Sequence, residues 1–337
     1  MVDDAHESKI QPAKSGKRAR TWEHLAGRRQ RPSEYEIVST NLTWRNINPE
    51  SPFELNPNIP MSRWYLRYCN GSPLKHDNWE DFRDPDRLVY RTYNVMQDTE
   101  EAYVDGLLDE HDRLGHDTKL SERWLSTLAR MYAPGRYLMH TVQMASAYLV
   151  HMAPASTITL CAAFQMGDSL RWVSRIAYRT RELAKHHPDE GFGKNERKFW
   201  EDDPVWQGFR ELSEKVLVAY DWAETFVALN AVARPAIDEV FIRQLGTSAQ
   251  ANGDMLLKML SDAQMRDSER SRRWTAELIR FALQKDGNRQ VLDQWMRKWV
   301  PLSDKAIEAF CDGLPQAAQA AESAKRGARD FRETLGL

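Results

Sequence analysis

From about residue 86 to the C-terminus, apolar residues recur at intervals of three and four, the repeat of a helix with one face turned inward. The spacing predicts helices near 86–114, 120–132, 135–152, 156–186, 204–231, 235–250, 254–285, 289–299 and 302–325. Pro134, Pro204, Pro235 and Pro301 stand where a helix would begin, a position that tolerates a missing N–H. Ser156 and Thr157 are candidate N-caps ahead of an apolar run that Pro188 closes. At 1.5 Å per residue, Thr157 to His187 would span roughly 45 Å. No strand-like alternation persists, and no repeat of roughly 20–50 residues is visible. Long helices with apolar faces make a bundle, so the expected fold class is all-α.

The first quarter behaves differently. Eight of the 15 prolines fall within residues 1–85, and little apolar periodicity is present there. The expected organisation is an extended, Pro- and Trp-rich arm over 1–85 followed by a helical domain over 86–337. Such an arm cannot build its own core and must lie on something else. Trp22, Tyr35, Trp44, Trp64 and Trp79 are its candidate partner-docking side chains.

Composition narrows the function. The chain has 337 residues, with 47 Lys and Arg against 49 Asp and Glu, a net charge of −2. That balance argues against a protein whose main task is coating nucleic acid. The first 31 residues do carry eight basic against four acidic residues, so an arm that binds nucleic acid is the alternative from another class. Cys69, Cys161 and Cys311 are scattered and odd in number, which excludes a disulfide scaffold and fits a reducing, cytoplasmic setting. The start, MVDDAHESKI, does not resemble a signal peptide. Tyr137 to Gly167 contains no Asp, Glu, Lys or Arg, but Pro154 interrupts it and His140, Gln143, His151 and Gln165 punctuate it. Two buried helices meeting at APAST, rather than a membrane span, are expected.

Familiar catalytic motifs are missing: no GxGxxG, P-loop, GxSxG or HExxH occurs. LLDEHDRLGHD gathers Asp109, Glu110, His111, Asp112, His116 and Asp117, which reads either as a metal site or, more blandly, as a polar loop. His186 and His187 are adjacent and cannot face one ligand; closing a helix C-terminus suits them. Glu224 lies on an apolar helix, where a hydrogen bond or ion pair accounts for it better than catalysis. A long-helix bundle invites a test for a carboxylate-bridged di-iron site, which needs an E-x-x-H on each of two helices. No E-x-x-H occurs; Glu182 and His186, at i,i+4, are the nearest miss. Two related segments, DSLRW (168–172) and DSERS (267–271), lie midway along long helices. Their plainest reading is an i,i+3 Asp–Arg pair, and Asp168, Arg171, Arg175, Arg179 and Glu182 continue as a charge ladder along one side.

The segments RRQRPSEYEIVSTNL, SPLKHDNWEDFRDPDRLVYRTYN, MAPASTI, DSLRWVSRIAYRTRELA and DPVWQGFRELSEKVLVAYDWAETFVALN carry a resemblance over nearly the whole chain. It resembles the beta subunits of the hydroxylases of bacterial multicomponent monooxygenases, especially the toluene monooxygenases. The resemblance implies a ferritin-like, ribonucleotide-reductase-like bundle in an (αβγ)2 assembly. It further implies an aromatic-ring hydroxylation that uses O2 and NADH-derived electrons, supplied through a reductase and a Rieske ferredoxin and gated by an effector protein. Phenol and alkene monooxygenases are the alternatives within the family. The di-iron centre belongs to the alpha subunit, whose ligands come from DExRH motifs. Set against that motif, Ser169 and Trp172 replace Glu and His in DSLRW, and Ser268 and Ser271 replace them in DSERS. The implied role is a structural subunit with no cofactor, metal or catalytic residue of its own.

Overall fold

The computed structural model describes residues 22–25, 30–42 and 58–337. In chain order the helices are α1 (Glu34–Ser39), α2 (60–70), α3 (Tyr90–Arg113), α4 (122–132), α5 (Gly135–Met152), α6 (Ser156–His186), α7 (Glu196–Asp202), α8 (Pro204–Leu217), α9 (222–251), α10 (Met255–Ala282), α11 (Asn288–Cys311) and α12 (Ala317–Thr334). No strand is present among the described residues, and none of their helices is long and apolar enough to cross a membrane. The all-helical expectation therefore holds.

Helices α5, α6, α9 and α10 pack together at the centre, with α3 laid along α10 and α8, α11 and α12 completing the outer side. The uncharged stretch forms α5 and the start of α6, which turn back on each other through 153–155 as expected. Gly208 lets α8 approach α11 closely, since a Cβ there would stand 2.6 Å from the Ala306 Cα.

Two proline assignments are corrected. Pro235 lies within α9 and Pro301 within α11. Around Pro235 the helix is widened over 227–233 and again over 238–244, where bonds such as Arg234 N–H to the Leu229 carbonyl span five residues. A wider turn relieves the clash between the proline ring and the preceding turn. Pro301 and Arg297, four residues before it, are both exposed, so the carbonyl left without a donor has water available. The break expected near 232–234 instead falls at 218–221, where the Asp221 carboxylate caps α9 by accepting from the Ala223 and Glu224 N–H groups at 3.0 Å. The break expected at 300–301 instead falls at 312–316, at Gly313 and Pro315.

A further correction concerns the N-terminus of α6. Ser156 is its first residue rather than its cap, and the cap group comes from the arm. The Glu80 carboxylate accepts from the Ser156 N–H at 3.3 Å and from the Asn41 N–H at 3.0 Å. A carboxylate at this end complements the helix dipole.

The described part of the arm rests on this chain's own bundle. Cys69, Leu74 and Phe82 join the core. Trp64 donates to the Tyr148 hydroxyl at 2.9 Å, and Trp79 meets Trp222 edge-on at 5.1 Å. Tyr35 is buried, and its hydroxyl accepts from the Asp84 N–H at 2.9 Å. Tyr35, Trp64 and Trp79 are thus held by intramolecular contacts. Trp22 is half-buried with the Arg31 guanidinium 5.3 Å from its ring, and Trp44 lies outside the described residues.

Candidate functional site: a charged cluster where two long helices meet

Antiparallel packing of α6 and α10 brings the two D-S-x-R segments face to face. Ser169, Trp172, Ser268 and Ser271 are all buried at this meeting. Asp168, Arg171, Asp267 and Arg270 form a set of crossed ion pairs: Arg171 binds Asp267 and Arg270 binds Asp168. Within each segment the i,i+3 contacts are longer, 3.5 Å for Arg171–Asp168 and 3.8 Å for Arg270–Asp267. The expected pairing along one helix is therefore secondary to pairing between helices.

A third helix completes the cluster. Gln97 of α3 donates to Asp168 at 2.9 Å and to Asp267 at 3.1 Å, and its carbonyl accepts from Arg171. The Tyr93 hydroxyl donates to Asp168 at 2.8 Å, and Glu101 takes the Arg171 Nε at 2.6 Å. Burial raises the pKa of Tyr93, partly countered by the positive charges of Arg270 and Arg171. Burial lowers the pKa of Arg270 against the pull of neighbouring acids. These α3 partners carry no motif and were not singled out from sequence.

The Trp172 indole N–H donates to Asp267 at 2.8 Å. A histidine that binds a metal through one ring nitrogen usually donates its other N–H to a carboxylate. Trp172, which the resemblance sets against the histidine of DExRH, makes such a bond to the aspartate of the opposite segment. An indole offers one N–H and no second ring nitrogen for a metal, and it fills the space with an apolar ring. At the two glutamate positions, the Ser169 hydroxyl donates back to the Gln165 carbonyl at 2.8 Å. The Ser268 hydroxyl instead joins α9, accepting from Arg234 and donating to Asp238, each at 2.8 Å.

One turn away lies a neutral polar layer with one residue from each central helix. Gln165 of α6 donates to Ser146 of α5 and to Asn230 of α9, both at 3.0 Å, and Asn230 donates to Thr275 of α10 at 3.1 Å. Gln165 had been visible as a polar residue in an uncharged stretch; its role in a layer had not. The serines, tryptophan and amides here offer neither the carboxylates nor the imidazoles that iron requires. Bundle chemistry of the di-iron kind does not fit these residues.

Other candidates resolve into structural roles. Glu224 accepts from Lys298 at 2.6 Å and from the Trp299 indole at 3.1 Å. His187 caps the end of α6, its Nε2 lying 2.8 Å from the Asp117 carbonyl. LLDEHDRLGHD divides: His116 and Asp117 turn toward a second buried cluster, while Glu110 pairs with Arg113 on the surface. In that second cluster Arg179 binds Asp254, which also accepts from Trp124 at 2.9 Å and caps α10 through the Leu257 N–H at 3.0 Å. Burial pushes the Asp254 carboxyl up, but Arg179 and the hydrogen bonds from His116, Leu257 and Trp124 outweigh it and hold the group well below the usual carboxylate range.

A family model described as methane/phenol/alkene hydroxylase matches residues 64–286. The chain belongs to this hydroxylase family. It is 51% identical over 300 residues to the hydroxylase component subunit beta of the toluene-4-monooxygenase system of Ectopseudomonas mendocina, covering 89% of this chain and 92% of that relative. It is 26% identical over 260 residues to the phenol 2-monooxygenase oxygenase component DmpL of Pseudomonas sp. (strain CF600), covering 73% and 72%. Among solved structures, toluene 4-monooxygenase with toluene bound in the resting active site superposes with a TM-score of 0.84 at 51% identity, covering 89% of this chain and 99% of that one. A xenon-pressurised phenol hydroxylase from Pseudomonas sp. OX1 shares the fold, with a TM-score of 0.80 at 18% identity over 99% and 98% of the two chains. The resemblance to hydroxylase beta subunits holds, and this hydroxylase-family bundle has the fold expected of them.

Proposed function

We propose that this chain is the non-catalytic beta subunit of a toluene-monooxygenase-like hydroxylase, acting in an (αβγ)2 assembly whose alpha subunit holds the di-iron centre. The observation that carries the proposal is the site just described. All four ligand positions hold Ser or Trp, yet the crossed Asp–Arg ion pairs are present. Such a bundle retains the shape of a di-iron subunit without its chemistry, which suits a scaffold for the subunit that does the reaction. The 51% identity to a beta subunit supports an aromatic hydrocarbon as substrate of the whole complex, with electrons arriving from NADH through a reductase and Rieske ferredoxin and an effector protein regulating turnover. The N-terminal part of the arm, with Trp22 and Trp44, is assigned to a neighbouring subunit.

The test is co-expression with the alpha and gamma subunits of a toluene-monooxygenase-like hydroxylase. The expected outcome is a stoichiometric complex in which iron and toluene hydroxylation follow the large subunit, while the full chain alone holds no stoichiometric iron. Two equivalents of iron bound by this chain alone, with the absorption of a bridged di-iron pair, would overturn the proposal. Removing residues 1–60 should weaken assembly; unchanged co-purification would remove the arm from the interface.

A further inference from the structure

The chain packs a set of ligand-bearing side chains at the shared end of α3 and α6. Asp112, from the last turn of α3, meets Glu182 and His186, four residues apart on the same face of α6. One ligand atom from each lies within 4.8 Å of the other two, and His186 Nε2 is 3.9 Å from Asp112 Oδ1. Sequence alone divided these residues between two unrelated features, an acidic loop and a near miss for a di-iron motif. The fold makes them one group.

A second observation points to a water beside them. The three residues line a half-enclosed cavity of about 20 Å³ with His116, Asp117 and Arg179. Arg179 is 0% exposed, and although its Nη2 binds Asp254 and Asp117, its Nε and Nη1 have no hydrogen-bond acceptor in the protein. A buried arginine N–H left without an acceptor is costly. The cavity has room for one water, since about 10–15 Å³ suffices.

We infer that Asp112, Glu182 and His186 bind a divalent transition-metal ion of the zinc class, with a water from the Arg179-lined cavity as fourth ligand. Two carboxylates and one imidazole are a fitting donor set for zinc, and three protein ligands with one water is a familiar count. Ligand atoms on a tetrahedral zinc stand about 3.4 Å apart, given bonds of about 2.0–2.2 Å. Closing from the present spacing needs only side-chain rotation at an exposed surface, where Asp112 is 69% and His186 34% exposed. Four carboxylates gather here, those of Asp112, Asp117, Glu182 and Asp254, against the cations of Arg179 and Lys185, so the local charge favours a cation. Lys185 competes, since its ammonium holds Glu182 at 2.5 Å. A bound ion would pin the end of α3 to the end of α6.

The experiment is titration of the EDTA-stripped, full-length chain with zinc chloride by calorimetry, repeated with cobalt(II) to read tetrahedral absorption bands. One equivalent should bind. His186→Ala and Asp112→Asn should each weaken binding by more than the roughly 10–100-fold that loss of an outer-shell partner costs. Lys185→Ala should strengthen it, and His140→Ala, at an exposed position elsewhere on the bundle, should leave it unchanged. Circular dichroism of each variant verifies that it folds, and Glu182→Gln gives a third ligand variant. Absence of saturable zinc binding, or binding that survives any of the three ligand substitutions at unchanged affinity, would overturn the assignment.

Discussion

DSLRW and DSERS share an aspartate, a serine and an arginine at the same spacing, and they face each other across one core, yet they have been refilled in different ways. In DSLRW the histidine position holds Trp172, whose N–H reaches Asp267 of the opposite segment. In DSERS it holds Ser271, which is much shorter, and Asp168 takes its donors from Tyr93 and Gln97 of α3 and from Arg270. Asp267 is held by the indole of the opposite segment and Asp168 by a tyrosine of α3, while Gln97 of α3 serves both. What they have in common is that neither buried carboxylate is left alone. Losing a metal ligand removes a bond to the ion, but the outer carboxylate stays buried and still requires partners.

This contrast orders the expected effects of mutation. Asp267→Ala should be the most damaging, because it removes the partner of Arg171 and the acceptor of Trp172 together; breaking a buried ion pair costs about 3–5 kcal/mol. The drop in urea midpoint measures it, and a loss under 1 kcal/mol would show that the crossed pairs are dispensable. Trp172→Phe keeps an aromatic ring and deletes one bond to a charged acceptor, for a cost of about 1.5–3 kcal/mol. Tyr93→Phe should cost about 1 kcal/mol, since Asp168 retains Gln97 and Arg270.

The Tyr93 variant also has a pH signature. Burial holds the Tyr93 hydroxyl above its ordinary value, with Arg270 and Arg171 opposing. Its contribution to stability is therefore present below about pH 10, the unfolded value, and is lost as the pH rises through the folded one. The difference in stability between wild type and Tyr93→Phe should shrink on the alkaline side and stay flat below pH 9. Ser271→Ala should change stability least, by under about 0.5 kcal/mol. If it matched Trp172→Phe, the asymmetry between the two segments would be wrong.

The helices were largely legible because their apolar repeat is strong, and the two segments were legible because D-S-x-R recurs on long helices. The misplaced breaks have local causes. Proline at 235 reads as a helix start unless the widened turns beside it are known, and those leave no compositional mark. The D-W-A-E of Asp221 to Glu224 does carry the signature of an N-cap followed three residues later by an acid, and it marks the break correctly. The partners of the charge ladder were beyond reach. Arg175 binds Glu101 and Asp105, and Arg179 binds Asp254, each supplied by another helix about 70 or more residues away in sequence. The burial of the remaining tryptophans was beyond reach for a similar reason. Trp124, Trp206, Trp222 and Trp299 are fully buried in the bundle, so the abundance of this residue reflects core packing more than docking.

The widened turns of α9 have a bearing on how the chain tolerates changes in length. Asn230 sits inside the first and Asp238 opens the second, and each reaches a different neighbour, Gln165 on α6 and Ser268 on α10. Each residue of an α-helix advances the face by about 100°. A wide turn holds one residue more than ordinary winding needs, so deleting a single residue between 227 and 233 would restore ordinary winding there and leave Asp238 facing Ser268, at the expense of the Asn230 contacts. A change of one in residue count is therefore absorbed within the wide turns, whereas in the ordinary turns beside them it would rotate everything beyond it.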